Sequence, residues 1–234
     1  MNSSPQLPLA LRPRLESRFD AFVGSPEIVA CLHAMARGES GFAVLTGSQG
    51  SGKTHLAMAV VQAAEDHGRS AHYLPLAQLK GQLEAALAGA EAFDVMALDD
   101  LDAVLGGRED DIALFHFHNR AKAQGTSVLY TARETVAALP PGLPDLRSRL
   151  AQCTQWSLPR ADDELRGAIL QRKAQSRGLT LDDAVVAYLL RRVGRDMTSL
   201  SLLLERIDRA SLAEQRRVTV PFVRAFLDAV PPVA

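Results

Sequence analysis

Two cysteines, Cys31 and Cys153, are all that 234 residues contain. They stand in no metal-ligating spacing, and a disulfide framework is not expected, so a reducing cytoplasm suits the chain. Aromatic residues make up only 5%. Neither sign of charge dominates: 26 basic and 27 acidic residues leave a formal net charge of −1. That balance argues against a surface devoted wholly to nucleic acid, though it leaves room for a local basic patch. No apolar run approaches the roughly 18 residues that a membrane-spanning helix needs. The opening MNSSPQLPLALRPRLESRF has a short apolar stretch, but it precedes its arginines and is broken by prolines, unlike a secretory leader. A soluble, cytoplasmic protein without membrane contact is expected.

What is present is enough for a core. Hydrophobic residues make up 47%, which excludes a disordered chain, and the length suits one large domain or one domain with a small satellite. Residues 1–18 read as an irregular arm, because Pro5, Pro8 and Pro13 prevent regular structure. SPEIVACLHAMARG then reads as a helix, with Ser25 as N-cap and Pro26 at the first helical position. FAVLTG, SAHYLPL, FDVMALDD and SVLYTA are short apolar strand candidates. Between them KTHLAMAVVQAAEDHG, AQLKGQLEAALAGA and DDIALFHFHNRAKAQG have helical character. Strands alternating with helices of this length predict an α/β domain over 19–159, a parallel sheet covered on both faces. After Leu158 the strand signal fades, and residues 160–234 read as a small all-helical domain.

The stretch GSQGSGKT, Gly47-Ser48-Gln49-Gly50-Ser51-Gly52-Lys53-Thr54, satisfies G-x-x-x-x-G-K-[ST] at every required position. Glycines let backbone N–H groups converge on phosphate oxygens, and the following helix adds its positive end. Lys53 is placed to reach the β- and γ-phosphates, and the Thr54 hydroxyl to ligate Mg²⁺. A flexible glycine turn is the bland alternative, disfavoured because the motif lies between a strand and a helix. The site also needs a carboxylate at a buried strand end. VMALDD supplies Asp99 for the metal and Asp100 for orienting a water. ADP or ATP with Mg²⁺ is the expected ligand.

This P-loop sheet followed by a helical lid resembles the AAA+ ATPases, and more narrowly the DnaA/Hda family of bacterial replication proteins. GLPDLRSRL (Gly142–Leu150) is similar to the family's arginine-finger box, and IDRASLAEQRRVTVPFVRAFL (Ile207–Leu227) to the end of the Hda lid. YLPL, LFHFHNR and the paired aspartates of ALDD fit as well. The resemblance implies that Arg149, with Arg147 nearby, reaches into a neighbouring subunit's ATP site, and that Thr131 ends the sensor strand. QLPLAL is similar to the peptide by which Hda docks on the β sliding clamp of DNA polymerase III, with Gln6, Leu7, Leu9 and Leu11 as contacts. The chain ends at Ala234 with no room for the DNA-reading domain of DnaA, so origin recognition is not expected.

Two positions depart from the family. The aspartate expected soon after Thr131 is replaced around Arg133, and Thr198 stands where a lid arginine contacts nucleotide. Arg195, one turn earlier, is the available substitute. Slow self-hydrolysis is therefore expected. The resemblance implies a negative regulator of replication initiation that stimulates hydrolysis of DnaA-bound ATP through Arg149 in trans, touching DNA only through the clamp and forming homo-oligomers. A helicase-loader-like ATPase and a non-hydrolytic clamp adaptor are the rivals. His116 and His118, two apart on a helix, face different ways and make poor metal ligands. Cys153 reads as a buried structural thiol, and Arg191 and Arg192 with Arg195 as a solvated face, a patch for clamp-loaded DNA being the alternative.

Overall fold

The computed structural model describes residues 17–39, 41–140, 142–192 and 197–229. Gln6, Leu7, Leu9 and Leu11 of the arm, and Arg195, lie outside the described residues, as does the Thr198 side chain. Backbone contacts divide the chain into two compact units, Met1–Arg160 and Ala161–Ala234.

The first unit is built on five parallel strands in the order β2-β3-β4-β1-β5. They are β1 (Phe42–Thr46), β2 (Ala71–Pro75), β3 (Val95–Asp99), β4 (Ser127–Ala132) and β5 (Thr154–Ser157). The continuous apolar character of β1, β3 and β4 follows from burial on both faces. Val44, Met96, Leu98, Val128 and Tyr130 point into one core, shared with α4 (Arg108–Gln124) and α5 (Pro144–Ala151). Their neighbours Ala43, Leu45, Val95, Ala97 and Leu129 point into the other, against α1 (Pro26–Arg37) and α2 (Lys53–Asp66). Each fully buried leucine of these layers contributes about 1.5–3 kcal/mol.

Three local expectations change. AQLKGQLEAALAGA is not one helix: a 3-10 turn (Leu76–Gln78), the four-residue α3 (Leu83–Ala86) and a second 3-10 turn (Ala90–Ala92) replace it. Gly81, at φ +76°, breaks the run, and its N–H donates to the buried Asp110 carboxylate at 2.9 Å. Leu79, Leu83 and Leu87 still reach the core, so burial is kept without a continuous helix. At Ser25 the N-cap position is right, yet φ is +46° and the side chain makes no capping bond. Finally, TQWS forms the edge strand β5. Its Thr154, Gln155 and Ser157 are exposed, so it lacks the apolar signature of the inner strands. It is held by the Thr46 hydroxyl donating to the Trp156 carbonyl at 3.1 Å and by Leu158 N–H on the Thr46 carbonyl at 2.8 Å.

The second unit is all helical: α6 (Asp163–Gln175), α7 (Asp183–Arg192), α8 (Met197–Glu214) and α9 (Val220–Ala229). The Asp162 side chain caps α6 by accepting from Leu165 N–H at 2.8 Å. Leu200, Leu204 and Ile207 recur at helical spacing on α8 and close a core with Leu170, Val185, Leu189 and Phe222. Arg191 and Arg192 are exposed in the last turn of α7, where positive charge meets the free carbonyls of a helix end.

Candidate functional site

The site grows from the C-terminal edge of the sheet, where open α/β sheets place their ligand crevices. Strand β1 runs out at Thr46, and Gly47 starts the loop, its N–H donating to the Ala132 carbonyl of β4 at 3.2 Å. A Cβ on Gly47 would meet Ser51 Oγ at 2.7 Å, and one on Gly52 would meet the Phe22 ring at 2.7 Å. Gly52 also has φ +100°, which disfavours any side chain. The loop is therefore drawn in tightly from both sides, with Ser48, Gln49 and Gly50 exposed at its crest. Among the described residues, the N–H groups of Gly50 and Gly52 take no acceptor, and the buried Ser51 Oγ has no partner. Lys53 opens α2, buried to 6% exposure, with Nζ donating to the carbonyls of Gly47 at 2.7 Å and Ser48 at 3.0 Å. Burial pushes this ammonium down from its ordinary range, against the opposing pull of Asp100, Asp99 and Asp102. Unpaired N–H groups, an orphaned hydroxyl, a helix N-terminus and a desolvated cation form a donor set suited to phosphate.

Asp99 ends β3, 3% exposed, and three hydroxyls donate to it. Thr54 Oγ1 lies 2.7 Å and Tyr73 Oη 2.8 Å from Oδ2, while Thr131 Oγ1 lies 2.5 Å from Oδ1. The phosphate loop and strands β2, β3 and β4 thus converge on one carboxylate. Thr54 and Asp99 have the hard oxygen donors that Mg²⁺ prefers. Asp100, next in sequence, adopts the left-handed conformation at φ +61°, unusual for a side chain other than glycine's and common at working sites. Its N–H donates to Thr131 Oγ1 at 3.0 Å, and its side chain is half-buried. Burial, then the adjacent Asp99 charge, raises its pKa above the usual carboxylate range.

Tyr73 is the residue that motif reading missed. It lies in the stretch YLPL, but only strand pairing, with Tyr73 opposite Ala97 and Pro75 opposite Asp99, brings its hydroxyl to the carboxylate. Burial and the Asp99 charge raise its pKa well above the ordinary phenol range, so it remains a donor. Asp102 is a second addition, accepting the N–H groups of Arg133 at 2.7 Å and Glu134 at 3.4 Å.

The arginine pair lies elsewhere on the same unit, on α5. Pro144 stands at the first helical position, and Leu143 N–H is held by the buried Asp111 carboxylate at 3.3 Å. Arg147 Nη2 donates to the Leu139 carbonyl at 2.7 Å and is thereby committed within the chain. Arg149 is half-buried, and among the described residues its guanidinium makes no hydrogen bond or ion pair. Its charge, after burial, helps push the His118 imidazole down to about 4. His118 Nδ1 lies 3.1 Å from the Tyr130 hydroxyl and 4.4 Å separates its ring from that of Phe42, which makes it a core histidine. Among the described residues no cluster of His, Cys, Asp and Glu is arranged to hold a metal by itself. Cys153 is buried, its thiol donating to the Arg149 carbonyl at 3.4 Å and pushed up to about 12 by burial.

A parallel sheet in this order, a glycine-rich loop after β1, an aspartate ending β3 and a helical C-terminal unit define an AAA+ protein. The comparisons narrow this. The Hda lid domain matches residues 163–227, and the IstB-like ATP binding protein family matches 28–141. An uncharacterized protein of Haemophilus influenzae is 35% identical over 228 residues, 95% of this chain and 98% of the relative. Domain III of the Thermotoga maritima replication initiation protein DnaA matches with a TM-score of 0.77 at 18% identity, covering 92% of this chain and 97% of that one. AMPPCP-bound DnaA from Aquifex aeolicus matches with a TM-score of 0.70 at 18% identity, covering 87% of this chain and 71% of that one. The chain and the Haemophilus influenzae protein belong to one family; the C-terminal unit of this chain matches the Hda lid domain, and its fold is that of DnaA domain III.

Proposed function

We propose that this chain is a negative regulator of replication initiation that drives hydrolysis of ATP bound to DnaA. The observation that carries the reading is the Arg149 guanidinium, which makes no hydrogen bond or ion pair among the described residues, although Arg147, two residues earlier, donates to the Leu139 carbonyl. A guanidinium left unpaired on a surface helix is available to a second molecule. Delivered to a γ-phosphate in trans, it stabilises charge developing during transfer, an effect worth roughly 10³ to 10⁵ in rate.

The chain's own cradle binds ADP or ATP. Gly47, Ser48, Gln49, Gly50, Ser51 and Gly52 wrap the phosphates with backbone N–H groups, and Lys53 exchanges loop carbonyls for phosphate oxygens. Thr54 and Asp99 hold Mg²⁺, which when bound neutralises phosphate charge. Tyr73 and Thr131 keep the Asp99 carboxylate oriented, and Asp100 aligns a water. Threonine at 198 supplies no lid cation, so turnover in this chain is slow and its nucleotide serves chiefly to set a partner-competent state. Gln6, Leu7, Leu9 and Leu11 dock the protein on the β sliding clamp, a role that rests on the likeness of QLPLAL to the clamp peptide of Hda. DNA is then reached through the clamp, in the cytoplasm, and the chain self-associates as AAA+ proteins commonly do.

The match to the IstB-like ATP binding family favours one other reading, a helicase-loader-like protein that turns over its own ATP. One assay separates them: ATP turnover on DnaA with DNA-loaded clamp, with and without this protein and its Gln6→Ala variant. Acceleration that depends on Gln6 is the expected result. Turnover confined to this chain supports the loader. Clamp binding without any acceleration leaves only a clamp adaptor and overturns the regulator.

A further inference from the structure

The helical unit gathers arginines around α9. We propose that the face formed by Tyr188, Arg191 and Arg192 of α7 and Arg224 of α9 binds the phosphate backbone of duplex DNA directly. This goes beyond the reading above, in which DNA is reached through the clamp, and does not depend on it. Helix geometry assembles the cluster. Arg224 is exposed, and its Cζ stands 6.0 Å from the centre of the half-buried Tyr188 ring, which joins α9 to α7 at the surface. Arg191 and Arg192 follow Tyr188 by three and four residues, one turn along the same face of α7, and both are exposed. On the other flank of α9, Arg206 stands 5.9 Å from the Phe226 ring and Arg216 5.5 Å from that of Phe222. Such cation–aromatic stacks occur roughly once per 70–80 residues. The described residues of this unit alone carry three, so the crowding of guanidinium groups is a local feature.

A guanidinium laid over a ring uses its flat face and keeps its edge N–H groups for other partners. Among the described residues the guanidinium groups of Arg191, Arg192 and Arg224 make no hydrogen bond or ion pair. Their neighbours in the unit are engaged: Arg216 pairs with Glu214 and Arg177 with Glu205, each at 3.1 Å. Asp228 lies one turn after Arg224 and is exposed, yet Arg224 stacks on Tyr188 instead of pairing with it. Asp183 stands at the opposite end of α7 and accepts from Gln171 at 2.8 Å. Three positive charges against one carboxylate leave the face cationic. Planar forks of this kind match phosphate oxygens two at a time, and such contacts hold a protein on a nucleic-acid backbone. Tyr188 packs against the core of the unit and has Arg224 over its ring, so it steadies a guanidinium and offers no free platform for an unpaired base. That favours duplex over single-stranded DNA.

The test is fluorescence anisotropy of the full chain with a labelled duplex of about 30 base pairs and a single strand of equal length, between about 50 and 200 mM salt. The variants are Arg191→Ala with Arg192→Ala, Arg224→Ala, and Arg37→Ala as a control on the first unit, where Arg37 faces Glu39 at 3.6 Å. Melting curves confirm that each is folded. In the double variant, duplex affinity is expected to fall roughly tenfold at the lowest salt, and the slope of log affinity on log salt to shrink by about two. Arg224→Ala should shrink that slope by about one, and Arg37→Ala should match the parent. No duplex binding by the full chain at about 50 mM salt overturns the inference, as does an unchanged slope in both α7 and α9 variants or an equal loss in Arg37→Ala. Tighter binding to the single strand overturns the duplex assignment. Variants that keep DNA binding but lose binding to poly-glutamate give the face to an acidic protein and overturn it too. The regulator reading stands or falls separately, since neither DnaA nor clamp is present in this titration.

Discussion

The phosphate loop and helix α5 are parts of one compact unit, yet they treat positive charge in opposite ways. Lys53 is buried, desolvated and held by two backbone carbonyls of its own loop. Among the described residues the Arg149 guanidinium has no such partner, even though the Leu139 carbonyl takes Arg147 close by. A cation that serves a ligand bound within the chain is preorganised, which limits the ordering cost when the ligand arrives. One that serves another molecule is kept unsatisfied until the partner supplies the counter-charge. A related contrast separates the neighbours Asp99, which accepts from three hydroxyls, and Asp100, whose backbone takes the left-handed conformation.

The largest effect should come from α5. In Arg149→Ala, stimulation of DnaA-bound ATP hydrolysis is expected to drop roughly 10³-fold, with this chain's own nucleotide affinity unchanged. Single-turnover hydrolysis beside a nucleotide titration reads both. If the two fall together, the division between inward and outward cations is wrong.

The second effect concerns the histidine beside α5. His118 has a folded pKa of about 4 against an ordinary 6.5. The unfolded chain therefore binds the extra proton between those values, and stability declines as pH falls through that window. The contribution is at most about 3 kcal/mol. Urea unfolding at pH 7 and pH 5 should show a smaller loss in His118→Leu than in the parent, once the shared carboxylate titrations are subtracted. An identical pH dependence removes His118 as the cause.

Gly142→Ala tests what positions α5. A Cβ there would overlap the Asp111 carboxylate, which accepts the N–H groups of Gly106 and Leu143 just before α5. The midpoint of denaturant unfolding should fall by an amount equal to about 1–3 kcal/mol. Stimulation of DnaA should weaken while nucleotide binding holds.

The smallest effect is expected from Tyr73→Phe, which deletes one of three donors to Asp99. Loss of one such bond costs about 1 kcal/mol. It should appear as a weaker Mg²⁺ dependence of nucleotide binding, with the melting temperature nearly unchanged. A shift confined to the melting temperature would make Tyr73 a packing residue only.

Much of the scaffold was legible along the chain. β1, β3 and β4 are apolar without alternation because both of their faces are buried, and that signature survives in any short window of sequence. α2 and α4 end just before glycines for local reasons, Gly125 taking φ +76°. The segment 77–90 misled because its leucines recur at helical spacing while Asp110, some thirty residues on, captures Gly81 N–H and breaks the helix. β5 escaped because an exposed edge strand buries too little to impose a pattern; its pairing with β1 is the only thing that makes it a strand.

By itself the sequence determined the cradle. Gly47 to Thr54 are contiguous, and the glycine conformations and helix start they need are local backbone properties. It likewise determined that a carboxylate would end β3 and that the C-terminal residues would be helical. Only the tertiary structure decided which groups meet at that carboxylate, since Thr54 and Tyr73 come to Asp99 from 45 and 26 residues away. It also decided that, among the described residues, the Arg147 guanidinium has a partner and that of Arg149 has none. Both outcomes depend on which carbonyl, hydroxyl or carboxylate the packed core brings within about 3 Å, the range over which a hydrogen bond forms.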